Sequence, residues 1–250
     1  MTGDSGYDWL RTAPEELIGW DVDVLYGPWP RHHADLGLAE VRARLAASPV
    51  ARALAMSTMG ALFDDAAGNA RTVKDLSGCA ELLPVGTVDL RDALAADERL
   101  EMLAAEGVRF LRLFTEEQDV EPGFPGYRHV IEQAVAQGLV LLHGGDPRRF
   151  GPALTGRGAE VIFLDVHSYV LADFLLLTRD EPGFRATTRL LSSPDGIERV
   201  VDTAGARHLV FGSRTPFMDI SPQTLRLRYA AIGEADRAAI AGGNIEELLG

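Results

Sequence analysis

The 250-residue chain has one cysteine, Cys79, and one lysine, Lys74. A single thiol excludes an intrachain disulfide framework, a cysteine-rich zinc site and CxxC redox chemistry. Cys79 follows Leu76-Ser77-Gly78 and reads as the inert, buried cysteine of a helix end. Imine-forming aldolases and pyridoxal enzymes need a lysine amine. Lys74 lies in a polar stretch after Gly68-Asn69, which reads as a turn, and away from any strand end, which argues against Schiff-base chemistry. Basic residues are scarce as well: 24 Lys and Arg face 37 Asp and Glu, a formal charge of −13. Nucleic acid or an anionic membrane surface would be repelled by that field. No apolar run approaches the roughly 18–20 residues that span a bilayer. The first residues, Met-Thr-Gly-Asp-Ser-Gly-Tyr-Asp, show neither the basic nor the apolar region of a secretory signal. The expectation is a cytoplasmic protein with small-molecule partners; homo-oligomerisation is left open.

What the chain does have is a rhythm. At 46% apolar and 24% charged it has ordinary globular composition. Short apolar runs alternate with longer helical patterns, the signature of a parallel sheet. Eight strands are predicted: Trp20–Tyr26, Val50–Met56, Leu83–Val88, Val108–Phe114, Leu139–His143, Val161–His167, Phe184–Leu190 and His208–Gly212. Helices are predicted over Gly37–Ala47, Arg91–Ala105, Tyr127–Gln137, Asp195–Ala204, Pro222–Ile232 and the tail Glu234–Leu249. Their apolar residues recur three and four apart, as Leu38, Val41, Leu45 and Leu94, Leu100, Leu103 illustrate. Eight βα units in this length fit an α/β (β/α)8 TIM barrel. The rival, an open doubly wound sheet, wants a glycine-rich turn after its first strand; Gly156-Arg157-Gly158 instead precedes a strand. The expected organisation is a single barrel domain over 18–250, behind an N-terminal extension, 1–17.

In a barrel the residues at the carboxyl ends of the strands meet at one mouth. By strict alternation Asp21, Asp23 and Leu25 share a face of the first strand. Arg112 shares a face with Phe110, and a guanidinium among apolar residues needs a carboxylate or a ligand. The fifth strand ends at His143, the sixth offers Asp165 and His167, and the eighth runs into Ser213 and Arg214. Trp29, in the first loop, reads as a ligand-stacking ring or as a pin for that loop. His32-His33 in the same loop and Asp146 and Arg148 after the fifth strand weigh less. His129 on a helix and His208 at a strand start read as structural. Two imidazoles among carboxylates and guanidiniums suit acid–base work on polar or anionic small molecules.

The runs 21–27, Leu83–Val88, Gly107–Phe114, Leu142-His143 and Arg207–Ser213, with Gly68-Asn69 and the closing Gly243-Asn244…Leu248-Leu249, resemble the amidohydrolase-related superfamily, in its decarboxylase and lactonase-like branch. The resemblance covers residues 18–250, with Phe-Gly-Ser-x-x-Pro at 211–216 its most specific run. It implies an amidohydrolase-like barrel enzyme, a hydrolase of a lactone or amide or a related lyase. The metal-dependent members carry His-x-His on strand one, later histidines, and an Asp on strand eight. Here Asp23 and Leu25 stand at the first pair, His143 and His167 match the later histidines, and Arg214 replaces the Asp. Leucine cannot ligate an ion and arginine repels one, so the expectation is metal-independent catalysis with no metal ligands and no cofactor. Arg214 is expected beside Asp23, standing in for the ion. Asp23, or else one of His143 and His167, is expected to be the base that activates water, and Asp165 to orient a neighbouring imidazole. Arg112, Arg214, Trp29 and Ser213 are expected to bind substrate. Two alternatives stay open: a non-catalytic barrel that binds a ligand or partner, and a metal-dependent hydrolase with a rebuilt site.

Overall fold

The computed structural model describes residues 18–29 and 32–250, with the backbone alone for 32–35; the expected extension over 1–17 lies outside the described residues. The sheet runs β1 (Ile18–Trp29), β3 (Val50–Ser57), β4 (Leu82–Thr87), β5 (Phe110–Leu113), β6 (Val140–His143), β7 (Val161–Phe163), β8 (Phe184–Thr187) and β9 (Leu209–Val210) in sequence order, every neighbouring pair parallel. The first and last strands close on each other. Val22 N donates to Phe211 O at 3.1 Å, Leu25 N donates to Thr215 O at 2.9 Å, and Val24 bridges Thr215 in parallel. Eight parallel strands in a nearly closed ring with helices between them are a single (β/α)8 barrel, as the strand rhythm predicts. One short strand escapes that rhythm: β2 (His32–Leu36) folds back antiparallel on the end of β1.

Two apolar layers follow from the pleat. Trp20, Leu54, Val85, Phe110, Leu142, Ile162 and Val210 fill the barrel interior. Leu111, Leu141, Val161, Phe163 and Phe184 face outward and meet helix residues such as Leu100, Val130, Ile131 and Val200. The terminal helix Asn244–Leu249 plugs the interior from below: Ile245 is buried among those inner residues, and Trp20 Nε1 donates to Glu246 Oε1 at 2.6 Å.

Four of the described α-helices lie outside the predicted set, the shortest being the single turn Met59–Leu62. Gly68-Asn69 is no turn; both lie inside the helix Asp65–Leu76, capped by the Asp64 carboxylate. Gly68 is there because the helix crosses the backbone of Gly60, where a Cβ would fall 2.2 Å from the Gly60 nitrogen. Asn69 then reaches β4, donating to Thr87 O at 2.8 Å and accepting from Thr87 N at 3.0 Å. Pro147–Leu154 starts from the Asp146 cap, and Leu171–Leu177 follows β7. Within Ala93–Ala105 the stripe is Ala96, Leu100 and Leu103; Leu94, expected on it, is 92% exposed. Among the described residues no helix is long and apolar enough to cross a membrane.

Candidate active site

Strict alternation does not survive on β1. Asp21 pairs with Ala53 and Val24 with Ala55, so the register slips between them and three steps on β1 match two on β3. Such a slip re-aims the side chains next to it. Asp21 and Asp23 therefore do different work. Asp21 is fully buried and accepts from Ser213 N at 3.0 Å, from the Ser213 hydroxyl, and from Asp23 N at 3.1 Å. Burial lifts its pKa to about 6 in spite of those bonds. It ties the two ends of the sheet together.

Asp23 lies under the mouth, also fully buried. Arg112 Nη1 donates to its Oδ1, and Arg189 Nε stands 3.5 Å from its Oδ2. Burial alone would raise the Asp23 pKa, but the charges of Arg112, Arg214 and Arg189 bring it down to about 2. The expected side-by-side pair of Asp23 and Arg214 is not formed. Arg112 from β5 and Arg189 from beyond β8 have taken the carboxylate, and the nearest carboxylate to Arg214 is Glu117, at 3.8 Å. Arg189, unremarked in the sequence, is the hub: its Nη2 donates to Asp165 Oδ1 and, at 2.9 Å, to Leu164 O. The alternation Arg185, Thr187, Arg189 against Phe184 and Ala186 was the available signal.

Above this network lies a cleft of about 250 Å³. Arg112, Arg189 and Arg214 line it with Asp165, Glu116 and Glu117, and Phe114, Phe217 and Met218 form its apolar wall. The Arg112 guanidinium lies 5.0 Å from the Phe114 ring centre. Asp165 stands two residues past the end of β7, its Oδ2 accepting from Gly145 N at 2.9 Å. Glu116, in the loop after β5, was also missed by sequence reasoning. Partial burial, then Asp165 and Glu117, hold its pKa above the ordinary carboxylate range.

The remaining expected residues are placed elsewhere. His143 shares its parity with Leu141, so its ring enters the strand–helix layer, 4.8 Å from the Phe150 ring and hydrogen-bonded to the Tyr127 hydroxyl at 2.9 Å. Burial pushes its pKa down to about 4, so it is a neutral core histidine at neutral pH and does not meet Asp23 in the cleft. His167, past the end of β7, stacks on Tyr169 at 4.8 Å, outside the cleft lining. Ser213 spends its amide and hydroxyl on Asp21. Trp29 backs the apolar wall, 6.4 Å from Phe114 and 5.6 Å from Phe217. His129 meets Asp97 at 2.8 Å, and His208 Nδ1 donates to Phe184 O at 2.6 Å.

No family model matches the sequence, and no curated protein matches it. Solved structures do match the fold. The 5-carboxyvanillate decarboxylase of Sphingomonas paucimobilis superposes with a TM-score of 0.73 at 15% identity, covering 93% of this chain and 98% of that one. A protein provisionally named a 2-pyrone-4,6-dicarboxylic acid hydrolase, from Pseudomonas putida, gives 0.73 at 14%, covering 93% and 97%. A dihydroxybenzoic acid decarboxylase of Polaromonas, with bound manganese and 2-nitroresorcinol, gives 0.72 at 13%, covering 92% and 96%. The likeness is one of fold.

Manganese in one neighbour raises the question of a metal here. Among the described residues no three His, Cys, Asp or Glu side chains are grouped to hold an ion. Asp23 is already shared by two guanidiniums, Leu25 offers no donor, His143 faces the opposite side of the strand layer, and three arginines line the cleft. These residues do not fit a divalent cation.

Proposed function

We propose, from a barrel shared with amidohydrolase-superfamily decarboxylases and hydrolases, that this chain is a small-molecule enzyme working by acid–base chemistry at the mouth without a divalent ion. The reaction class is hydrolysis of a lactone or amide, or a related lyase step. The observation that carries this reading is the convergence of Glu116, Asp165 and Arg214, from three separate loops, on one cleft.

Each has a role its surroundings support. Glu116, with its raised pKa, keeps a proton nearer to neutral pH than an ordinary carboxylate does and can deliver it or take it back. Asp165 is fixed by Arg189 and Gly145 N and orients a water or a polar substrate group. Arg112 and Arg214 present guanidinium edges to oxygens that gain charge during the reaction. Asp23, expected from the sequence as the base, is read instead as the buried anchor that sets Arg112 and Arg189 in place. Phe114, Phe217 and Met218 shelter the reacting groups from water.

The test is a turnover screen over lactones, amides and small carboxylates, with and without chelator. Activity that survives the chelator and falls at least ~100-fold in Glu116→Gln or Asp165→Asn, with the fold kept, is the expected result. A second reading, a barrel that binds but does not catalyse, is favoured by Asp23 being neutralised internally and His143 facing the helices. Ligand binding without turnover across the screen would establish it in place of the first.

A further inference from the structure

The mouth holds more hydrogen-bond donors than its own residues satisfy. Arg214 has a backbone φ of 67°, in the left-handed region that favours glycine and strains an arginine. The turn is over-determined: the Ser213 hydroxyl bonds Thr215 Oγ1 at 2.7 Å, Thr215 N donates back to it at 2.9 Å, and Arg214 O accepts from Phe217 N at 2.9 Å. The result is a mostly buried guanidinium aimed into the cleft with no hydrogen-bond acceptor among the described residues; Glu117, at 3.8 Å, is too far to accept. Burial weighs against that charge, yet Asp23, Asp165, Glu117 and Glu116 around it hold it protonated more firmly than usual. Beside it, the Nε of Arg112 is buried without an acceptor, on a side chain 3% exposed, while the Nε of Arg189 faces Asp23 Oδ2 at 3.5 Å, too long for a full hydrogen bond. A buried N–H left unpaired costs free energy that an acceptor ligand recovers.

We propose that these three arginines form a seat for one oxyanion, a carboxylate or phosphate group of the substrate, with Arg214 its principal donor. The proposal rests on the enzyme reading above only in calling the ligand a substrate. It inverts the charge preference of the mouth: the place where a metal-dependent barrel holds a cation becomes, through Arg214, a place for an anion. A flat guanidinium meets two oxygens of such a group at once, which a lysine would not do. The strained turn is then the means by which the side chain is held over the cleft.

Thermal shift and calorimetric titration of the whole chain test this with inorganic phosphate, benzoate and manganese as separate probes. Phosphate or benzoate is expected to raise the melting temperature, and manganese is not. A response to benzoate alone identifies a carboxylate seat, a response to phosphate alone a phosphoryl seat, and a response to both a general oxyanion seat. Arg214→Gln is expected to weaken that binding roughly tenfold or more. Arg214→Gly relaxes the backbone, so it is expected to melt higher than the parent while losing the anion response. A purely structural arginine would leave the glycine variant less stable. No response to either anion, or a response unchanged in both variants, overturns the seat. Turnover of an uncharged substrate without anion binding would retire the seat and keep the enzyme; anion binding without any turnover would do the reverse.

Discussion

Two buried groups in this barrel titrate in opposite senses. Asp21 has a folded pKa of about 6 against an ordinary 3.8, so between those values the folded chain holds a proton that the unfolded chain has released. Its share of the stability therefore grows as pH falls from 7 towards 4. His143, at about 4 against an ordinary 6.5, does the opposite: the unfolded chain takes the proton first, and stability is lost as pH falls over nearly the same window. Each shift corresponds to about 3 kcal/mol. The two largely cancel in the parent. Asp21→Asn removes the gain and leaves the loss, so its stability, measured by denaturant titration at pH 7 and pH 4.5, is expected to fall more steeply with acid than the parent's. Parallel profiles would show that Asp21 is not the buried proton-holding group described. The same residues show how far a sequence can be read. The types at the mouth were visible as Asp23, Arg112, Asp165 and Arg214. Their pairing was not, because it depends on which of several arginines reaches Asp23 first, and Arg189 comes from beyond a strand edge that alternation had drawn too long. His143 was misplaced by one face.

At the scale of elements, the eight barrel strands were legible because a strand buried on both faces reads as a compact apolar run between turns. The register slip in β1 was not, since nothing in Asp21-Val22-Asp23-Val24 marks one extra residue. The helix Asp65–Leu76 was hidden for a different reason. Gly68 and Asn69 score as turn residues, yet the first is required by a backbone crossing and the second by a paired bond to β4. Gly68→Ala is accordingly expected to destabilise the chain by about 1–3 kcal/mol, since the new methyl meets backbone that cannot move aside. Gly37→Ala, where a Cβ meets nothing within 4 Å, serves as the control and should cost less than about 1 kcal/mol. Equal losses in denaturant titration would remove the crossing as the reason for that glycine.

Over the whole molecule, closure is what turns scattered residues into a site. Arg112, Asp165, Arg189 and Arg214 come from four different strand ends and share a cleft because β1 and the segment after β9 hydrogen-bond across the seam. The barrel was legible in the strand count and in the resemblance of residues 18–250; the charge character of the mouth could be judged only once the arginines were seen together. A chain with a formal charge of −13 gathers three guanidiniums at one end of its barrel, where they face Glu116, Glu117 and Asp165 in the same cleft. The central claim is that this mouth excludes a divalent cation, and metal stoichiometry tests it most directly. The chain, purified without chelator, is equilibrated with excess manganese or zinc, freed of unbound ion, and analysed for metal. The account predicts substoichiometric metal in the parent and no stoichiometric ion in Arg214→Asp either, because Leu25 still offers no donor, His143 still faces the helices and Asp23 stays shared by Arg112 and Arg189. One ion per parent chain, retained through buffer exchange, would contradict it.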